Sequence, residues 1–124
     1  MRASMSALAM IGAMAMSTAA RASDCTSAGA GAGGTCQQVT VTGLYVESGV
    51  TGTNGGNVYL QVSGAMAPLG CTLAGGYVTL PRSAPSFNAL YAALLAAQTT
   101  KAVFDLRVLA DAGGNCVTAY VLMR

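Results

Sequence analysis

The pattern of apolar positions predicts one amphipathic helix that runs directly into an alternating strand. The apolar residues at helical spacing are Phe87, Leu90, Tyr91, Leu94 and Leu95. Ser86 directly precedes them and is a plausible N-cap. From Lys101 onward, apolar and polar residues alternate with the period of a strand. We therefore expect the helix over residues 86–98 and a strand that begins near Lys101.

Three strand-like runs precede this helix, and one more follows the strand after it. The five predicted strands cover residues 37–47, 57–63, 77–80, 101–109 and 116–123. Residues 111–115 (DAGGN) have the composition of a hairpin turn between the last two. The order β-β-β-α-β-β in so short a chain predicts a mostly β fold, a small five-stranded Greek-key barrel with one helix between strands three and four.

The first 22 residues have the pattern of a signal peptide. Arg2 precedes an uncharged Ala/Met-rich stretch over 7–20, and residues 20–22 (ARA) form a small-x-small cleavage pattern. Residues 17–19 (STA) offer a second cleavage pattern. The stretch is shorter than the roughly 20 apolar residues that a membrane-spanning helix needs. We therefore expect residues 1–22 to be removed on export, no membrane span, and a periplasmic or secreted mature protein.

Removal of that segment leaves 102 residues with no formal net charge. The four cations Arg82, Lys101, Arg107 and Arg124 then balance the four carboxylates Asp24, Glu47, Asp105 and Asp111. No basic patch remains to neutralise a phosphate backbone, so nucleic acid is disfavoured as a partner. The low charge leaves neutral surface that is compatible with a homo-oligomer. The length suits a single domain, which we expect over residues 37–124.

All four cysteines lie in the exported part, and an even count in a small exported chain predicts two disulfides. Three pairings are open. We favour Cys25 with Cys36 and Cys71 with Cys116, because the Gly/Ala-rich segment between the first two folds back easily. Residues 23–36 are thus expected to form a flexible, disulfide-closed N-terminal segment. The chain has no histidine and no Cys-x-x-Cys spacing, so we predict neither a metal site nor a cofactor.

The residue types do not suit catalysis. Without histidine there is no ready general base, and the scattered acids form no pair that is close in sequence. Ser86 has no base to activate it as a nucleophile. Asp105 and Arg107 lie two apart on one strand face and are interpreted as solvated charges. The five tyrosines are interpreted as half-buried residues rather than sugar-stacking rings. We predict no catalytic residues and no enzymatic activity.

The segment that starts at Ser86 (SFNALY) and continues through residues 99–103 (TTKAV) carries a resemblance to a known family. It resembles the Ser-Phe-x-x-Leu-Tyr helix, followed by a short turn and a strand, in cell-binding B subunits of the pertussis/subtilase-cytotoxin type. It is also similar to small exported proteobacterial proteins of unassigned function. Those toxin subunits are OB-fold domains that form pentameric rings and bind sialylated glycans. The resemblance implies an OB-like barrel and a glycan-binding function similar to that of a toxin B subunit.

The candidate ligand site lies in two loops. The loops at residues 48–57 and 111–115 are expected at the same end of the barrel, where OB-folds commonly bind ligands. Asn54, Asn57 and Asn115 supply amide groups that can hydrogen-bond a sugar, and we predict them as ligand-binding residues. The same composition also suits plain turns.

The residues are compatible with two classes of function. The first is an exported, non-catalytic binding module with a glycan partner. The alternative is a structural or assembly protein of the periplasm or cell surface that contacts other exported proteins through its strand edges.

Overall fold

The computed structural model describes residues 24–49 and 55–124. The predicted signal peptide at residues 1–22 and the candidate ligand residue Asn54 lie outside the described residues. Within the two described ranges, no helix is both long enough and apolar enough to cross a membrane.

The described chain forms one seven-stranded sheet and one α-helix. In chain order the elements are β1 (Cys25–Ser27), β2 (Gly34–Val39), β3 (Val41–Val46), β4 (Val58–Val62), β5 (Val78–Leu80), α1 (Phe87–Thr100), β6 (Phe104–Ala110) and β7 (Cys116–Met123). Neighbouring strands follow the order β1-β2-β6-β7-β5-β4-β3, and only β5 beside β7 is a parallel pair. The mostly β class and the helix before the last two strands are confirmed. The count of five strands is wrong, and the sheet is not closed among the described residues, because β1 and β3 form its two ends.

One of the extra strands arises from a break in the predicted strand 37–47. β2 and β3 are separated only by Thr40. The register of β2 against β6 shifts just before Val39, where Gln38 has a left-handed φ of 52°. The Gln38 N–H donates to Asp105 Oδ1 at 2.9 Å instead of continuing the ladder. Irregularities of this kind bend a strand, so one apolar run becomes two strands with different partners, β6 and β4.

The other extra strand is β1, which lies in the segment that we expected to be flexible. Cys25 is the register partner of Cys36 on β2, and the two are disulfide-bonded and buried. A cross-link that closes a short loop lowers the entropic cost of ordering it. Residues 25–39 therefore form a β-hairpin rather than a loose tether. The second predicted disulfide, Cys71–Cys116, is also confirmed, and it joins the link before β5 to the start of β7.

Helix α1 packs one side against the inner face of the sheet. Leu94 and Ala97 are fully buried, whereas Leu95 is 39% exposed. Ser86 occupies the N-cap position, but its side chain makes no capping hydrogen bond, so that part of the prediction is wrong. The last two threonine hydroxyls donate to carbonyls one turn earlier. The helix ends at Thr100, two residues later than predicted, because Lys101 takes a left-handed C-cap conformation with its N–H on the Ala97 carbonyl.

The inner face of the sheet carries the core. Its fully buried strand residues are Cys36, Val39, Val58, Leu60, Val78, Leu80, Phe104, Leu106, Val108 and Cys116. Because successive strand residues point to opposite faces, the positions between them form an outer face. That outer face carries the candidate site.

Candidate functional site

A row of side chains crosses the outer face of the sheet from β3 to β7. Tyr45, Tyr59, Thr79 and Val117 are consecutive register partners on β3, β4, β5 and β7. Register partners on neighbouring strands point to the same face. The alternation that buries Val58 in the core therefore places these four side chains together on the outside.

Three tyrosines meet at the β3 end of this row. The rings of Tyr45 and Tyr59 stack with centroids 4.7 Å apart, and Tyr77 meets Tyr45 edge-on at 5.1 Å. The Tyr59 hydroxyl donates to Glu47 Oε2 at 2.9 Å. Burial, followed by this bond to Glu47, raises the pKa of Tyr59 above its ordinary value, so the hydroxyl stays protonated near neutral pH. Tyr45 remains 45% exposed, which leaves aromatic surface open to a ligand.

A cavity of about 290 Å³, here called the outer-face cavity, lies over the row. Its lining residues are Asn57, Tyr59, Ala74, Thr79, Pro81, Asp111, Asn115 and Val117. The antiparallel pairing of β4 with β5 and the parallel pairing of β5 with β7 set Asn57 and Asn115 on opposite sides of the row, so the expectation that their loops lie at the same end is wrong. Two of the three predicted ligand residues therefore border one cavity. Its volume lies near the lower end of the ~300–1,000 Å³ range of small-molecule sites, which suits a single sugar ring.

The two asparagine side chains are held in place by the fold. Asn57 Oδ1 accepts a hydrogen bond from the Arg82 backbone N–H at 2.9 Å. The Asn115 amide donates to the Asp111 carboxylate at 3.3 and 3.4 Å. Asn115 Oδ1 has no hydrogen-bond donor in the described part of the chain, so it is available to a ligand.

Asp111 lines the same cavity and was missed as a site residue. Its Oδ1 accepts hydrogen bonds from the backbone N–H groups of Gly113 and Asn115, both at 2.9 Å, which confirms the predicted turn at residues 111–115. The Asn115 N–H is the main reason that the pKa of Asp111 lies below its ordinary value. The carboxylate is therefore ionised at neutral pH. An Asp before Gly-Gly signals a turn in sequence, but its position over the row depends on the sheet order.

The charged residues of β6 do not line this cavity. Asp105 is buried, and its Oδ2 accepts two hydrogen bonds from the Arg124 guanidinium, at 3.1 and 2.5 Å. The Arg124 hydrogen bonds, and next the bond from the Gln38 N–H, hold the pKa of Asp105 below its ordinary value. The interpretation of Asp105 as a solvated charge is wrong, because the bulge in β2 brings a backbone donor onto it.

Acid is expected to weaken the fold partly through Asp105. A carboxylate whose folded pKa is depressed contributes stability that is present above its unfolded pKa of ~3.9 and is lost as the pH falls through the folded value. Urea unfolding from pH 7 to pH 2 should show a decline below about pH 4. The Asp105→Asn variant should be less stable at pH 7, and the difference from the native protein should shrink towards pH 2. Asp24→Asn is the control, because Asp24 is exposed and accepts only a 3.4 Å bond. A constant difference across the pH range would contradict this role.

A second cavity of about 500 Å³, here called the helix cavity, lies between the end of β3 and the start of α1. Phe87 and Tyr91 stack in its wall with centroids 5.9 Å apart, and Arg82 also lines it. Neither Asn57 nor Asn115 borders the helix cavity.

Neither comparison with known proteins nor the arrangement of metal-binding residue types narrows the function. Comparison of the chain with protein-family models, with curated proteins and with solved structures finds no match. Among residues 24–49 and 55–124, no group of three or more His, Cys, Asp or Glu side chains is placed to hold a metal ion.

Proposed function

We propose that this protein is an exported, non-catalytic binding module that holds a glycan in the outer-face cavity. The observation that carries the proposal is the combination of amide groups on both sides of one small cavity with a tyrosine cluster beside it. Amides and carboxylates hydrogen-bond sugar hydroxyls, and an exposed aromatic ring packs against the apolar face of a sugar. Asn115 and Asp111 on one side, and Asn57 on the other, supply the polar part of this site.

The strand order supports an OB-like barrel, as the resemblance implies. If β2 and β3 are the two halves of one strand bent at Thr40, the domain has five strands and the hairpin partner β1. Numbered in this way, neighbouring strands follow the order first-second-third-fifth-fourth-first. An OB-fold barrel has the same order, because its first strand pairs with both the second and the fourth. OB-folds bind oligosaccharides on the face of their second and third strands. In this chain those strands are β4 and β5, which carry Tyr59 and Thr79.

The two disulfides support export. They suit an oxidising environment such as the periplasm or the outside of the cell. The signal-peptide pattern over residues 1–22 indicates the same route. A toxin-B-subunit-like role would follow from the resemblance if a glycan does bind.

Glycan-array screening of the protein without residues 1–22 tests the proposed function. We expect binding to at least one glycan. Tyr45→Ala and Asn115→Ala should each weaken it about two- to tenfold, the range for the loss of one hydrogen bond or one aromatic contact. Tyr120→Ala is the matched control, because Tyr120 is 56% exposed and belongs neither to the cavity lining nor to the tyrosine cluster. Equal losses in all three variants, or no binding to any glycan, would contradict the proposal.

The alternative is an assembly role, and one observation favours it. Tyr120 and Leu122 on the outer side of β7 are 56% and 52% exposed, next to each other on one face. Apolar side chains grouped in this way are typical of surfaces that contact another protein. The absence of glycan binding, together with a solution mass above that of the monomer, would favour this role and a homo-oligomer.

A further inference from the structure

The outer-face cavity has a negative charge, and no cation is among the described residues that line it. Asp111 is the lining residue that carries a full charge at neutral pH. Glu47 is not in the lining, but its carboxylate accepts a hydrogen bond from the hydroxyl of the lining residue Tyr59.

The cations of the described residues are engaged elsewhere. Arg124 binds Asp105, Arg107 donates to Thr35 Oγ1 at 3.2 Å, Lys101 ends α1, and Arg82 lies against Gly56 at the helix cavity. None of the four is among the residues that line the outer-face cavity. A carboxylate on the ligand would find no opposite charge there.

The hydrogen-bonding capacity of the cavity suits sugar hydroxyls. Asp111 Oδ1 is occupied by two backbone N–H groups, but Oδ2 accepts only the long 3.4 Å bond from the Asn115 amide. An ionised carboxylate oxygen accepts strong hydrogen bonds from hydroxyl groups. Asn115 Oδ1 provides another acceptor beside it. The Asp111 side of the site thus offers two acceptors to a ligand that donates.

We infer that the outer-face cavity selects uncharged sugars, whose hydroxyls donate to Asp111 Oδ2 and Asn115 Oδ1, and that it excludes sugars that carry a carboxylate at this position. This inference rests on the proposed function, because it names the class of glycan that the same site takes. It differs from what the resemblance implies, since the related toxin subunits bind sialylated glycans. An acidic sugar over Asp111, which is exposed to solvent, would set two like charges close together, which is unfavourable and sensitive to salt.

Titration with matched pairs of ligands tests the inference. The first pair is N-acetyllactosamine and its α2,6-sialylated form, and the second is a galactose oligomer and the corresponding galacturonic acid oligomer. Chemical-shift titration should show that the neutral member of a pair binds at least about tenfold more tightly than the acidic one. The preference should shrink as salt is raised, because salt screens the repulsion between exposed charges.

Asp111→Asn is the decisive variant. The asparagine Oδ1 can still accept the N–H groups of Gly113 and Asn115, so the turn is kept while the charge is removed. The ratio of neutral to acidic affinity should then fall towards one. An unchanged ratio would overturn the role of Asp111, and equal or tighter binding of the acidic members by the native protein would overturn the inference while the glycan-binding function stands. If no member of either pair and no glycan on the array binds, the proposed function fails and the inference fails with it.

Discussion

Leu94→Ala should lower the free energy of unfolding by about 2–5 kcal/mol, the range for a leucine removed from a packed core. Leu94 is fully buried where α1 packs on the sheet. The substitution removes apolar surface from the core and leaves a cavity that the rigid sheet cannot fill by moving. Urea unfolding followed by circular dichroism measures the change.

The neighbouring residue provides the control. Leu95→Ala removes the same atoms from the same helix, but Leu95 is 39% exposed and its loss should cost less than about 1 kcal/mol. Asn88→Ala at an exposed position should change stability by less than about 0.5 kcal/mol. If Leu94→Ala and Leu95→Ala have equal effects on the free energy of unfolding, α1 does not pack on the sheet through the side that carries Leu94.

Replacement of both Cys71 and Cys116 with alanine should destabilise the protein by about 4 kcal/mol on the loop-entropy model. The two cysteines are 45 residues apart, so their bond restricts a large part of the unfolded chain. Globular proteins are stable by only ~5–15 kcal/mol, so the variant should unfold at much lower urea concentration.

The pair Cys25 and Cys36 is the matched comparison, since it closes a separation of 11 residues and should contribute about 3 kcal/mol. The oxidised native protein should react with no more than a trace of thiol reagent. A larger loss on removal of the Cys25–Cys36 bond would show that core burial of these cysteines outweighs loop entropy. Labelling of Cys71 or Cys116 in the oxidised protein would contradict the pairing.

The helix, the last strand and the final turn could be predicted from the sequence because each depends on local chemistry. Residues 116–123 form an almost continuous apolar run after a turn and coincide with β7. Asp111 to Asn115 contains its own turn donors and acceptor. Both disulfides agree with the favoured one of the three possible pairings, which was chosen because the Gly/Ala-rich segment between Cys25 and Cys36 folds back easily.

The two extra strands could not be predicted from apolar spacing. The break at Thr40 depends on a left-handed residue, Gln38, whose N–H meets a carboxylate 67 positions away in sequence. No local pattern marks such a bulge. The strand β1 has only three residues, Cys25–Ser27, and contains too few apolar residues to show the alternation of a strand.

The candidate site was predicted in part. Amide-rich turns indicated Asn57 and Asn115, and both lie at the outer-face cavity. The tyrosine cluster was missed, because Tyr45 on β3, Tyr59 on β4 and Tyr77 just before β5 meet only after the register is fixed. Tyrosines at alternate strand positions look the same in sequence whether or not they form a cluster.

The central place of β7 in the sheet has a consequence for how the chain folds. β7 comes after every other strand in sequence, yet it joins β6 on one side to β5 on the other. Before it pairs, β1-β2-β6 and β5-β4-β3 are two separate groups with unpaired edges. Pairings between distant residues, such as Gly34 with Val108, also make folding slow. The sheet therefore stays incomplete until residues 116–123 pair, and until then two strand edges are open to other chains.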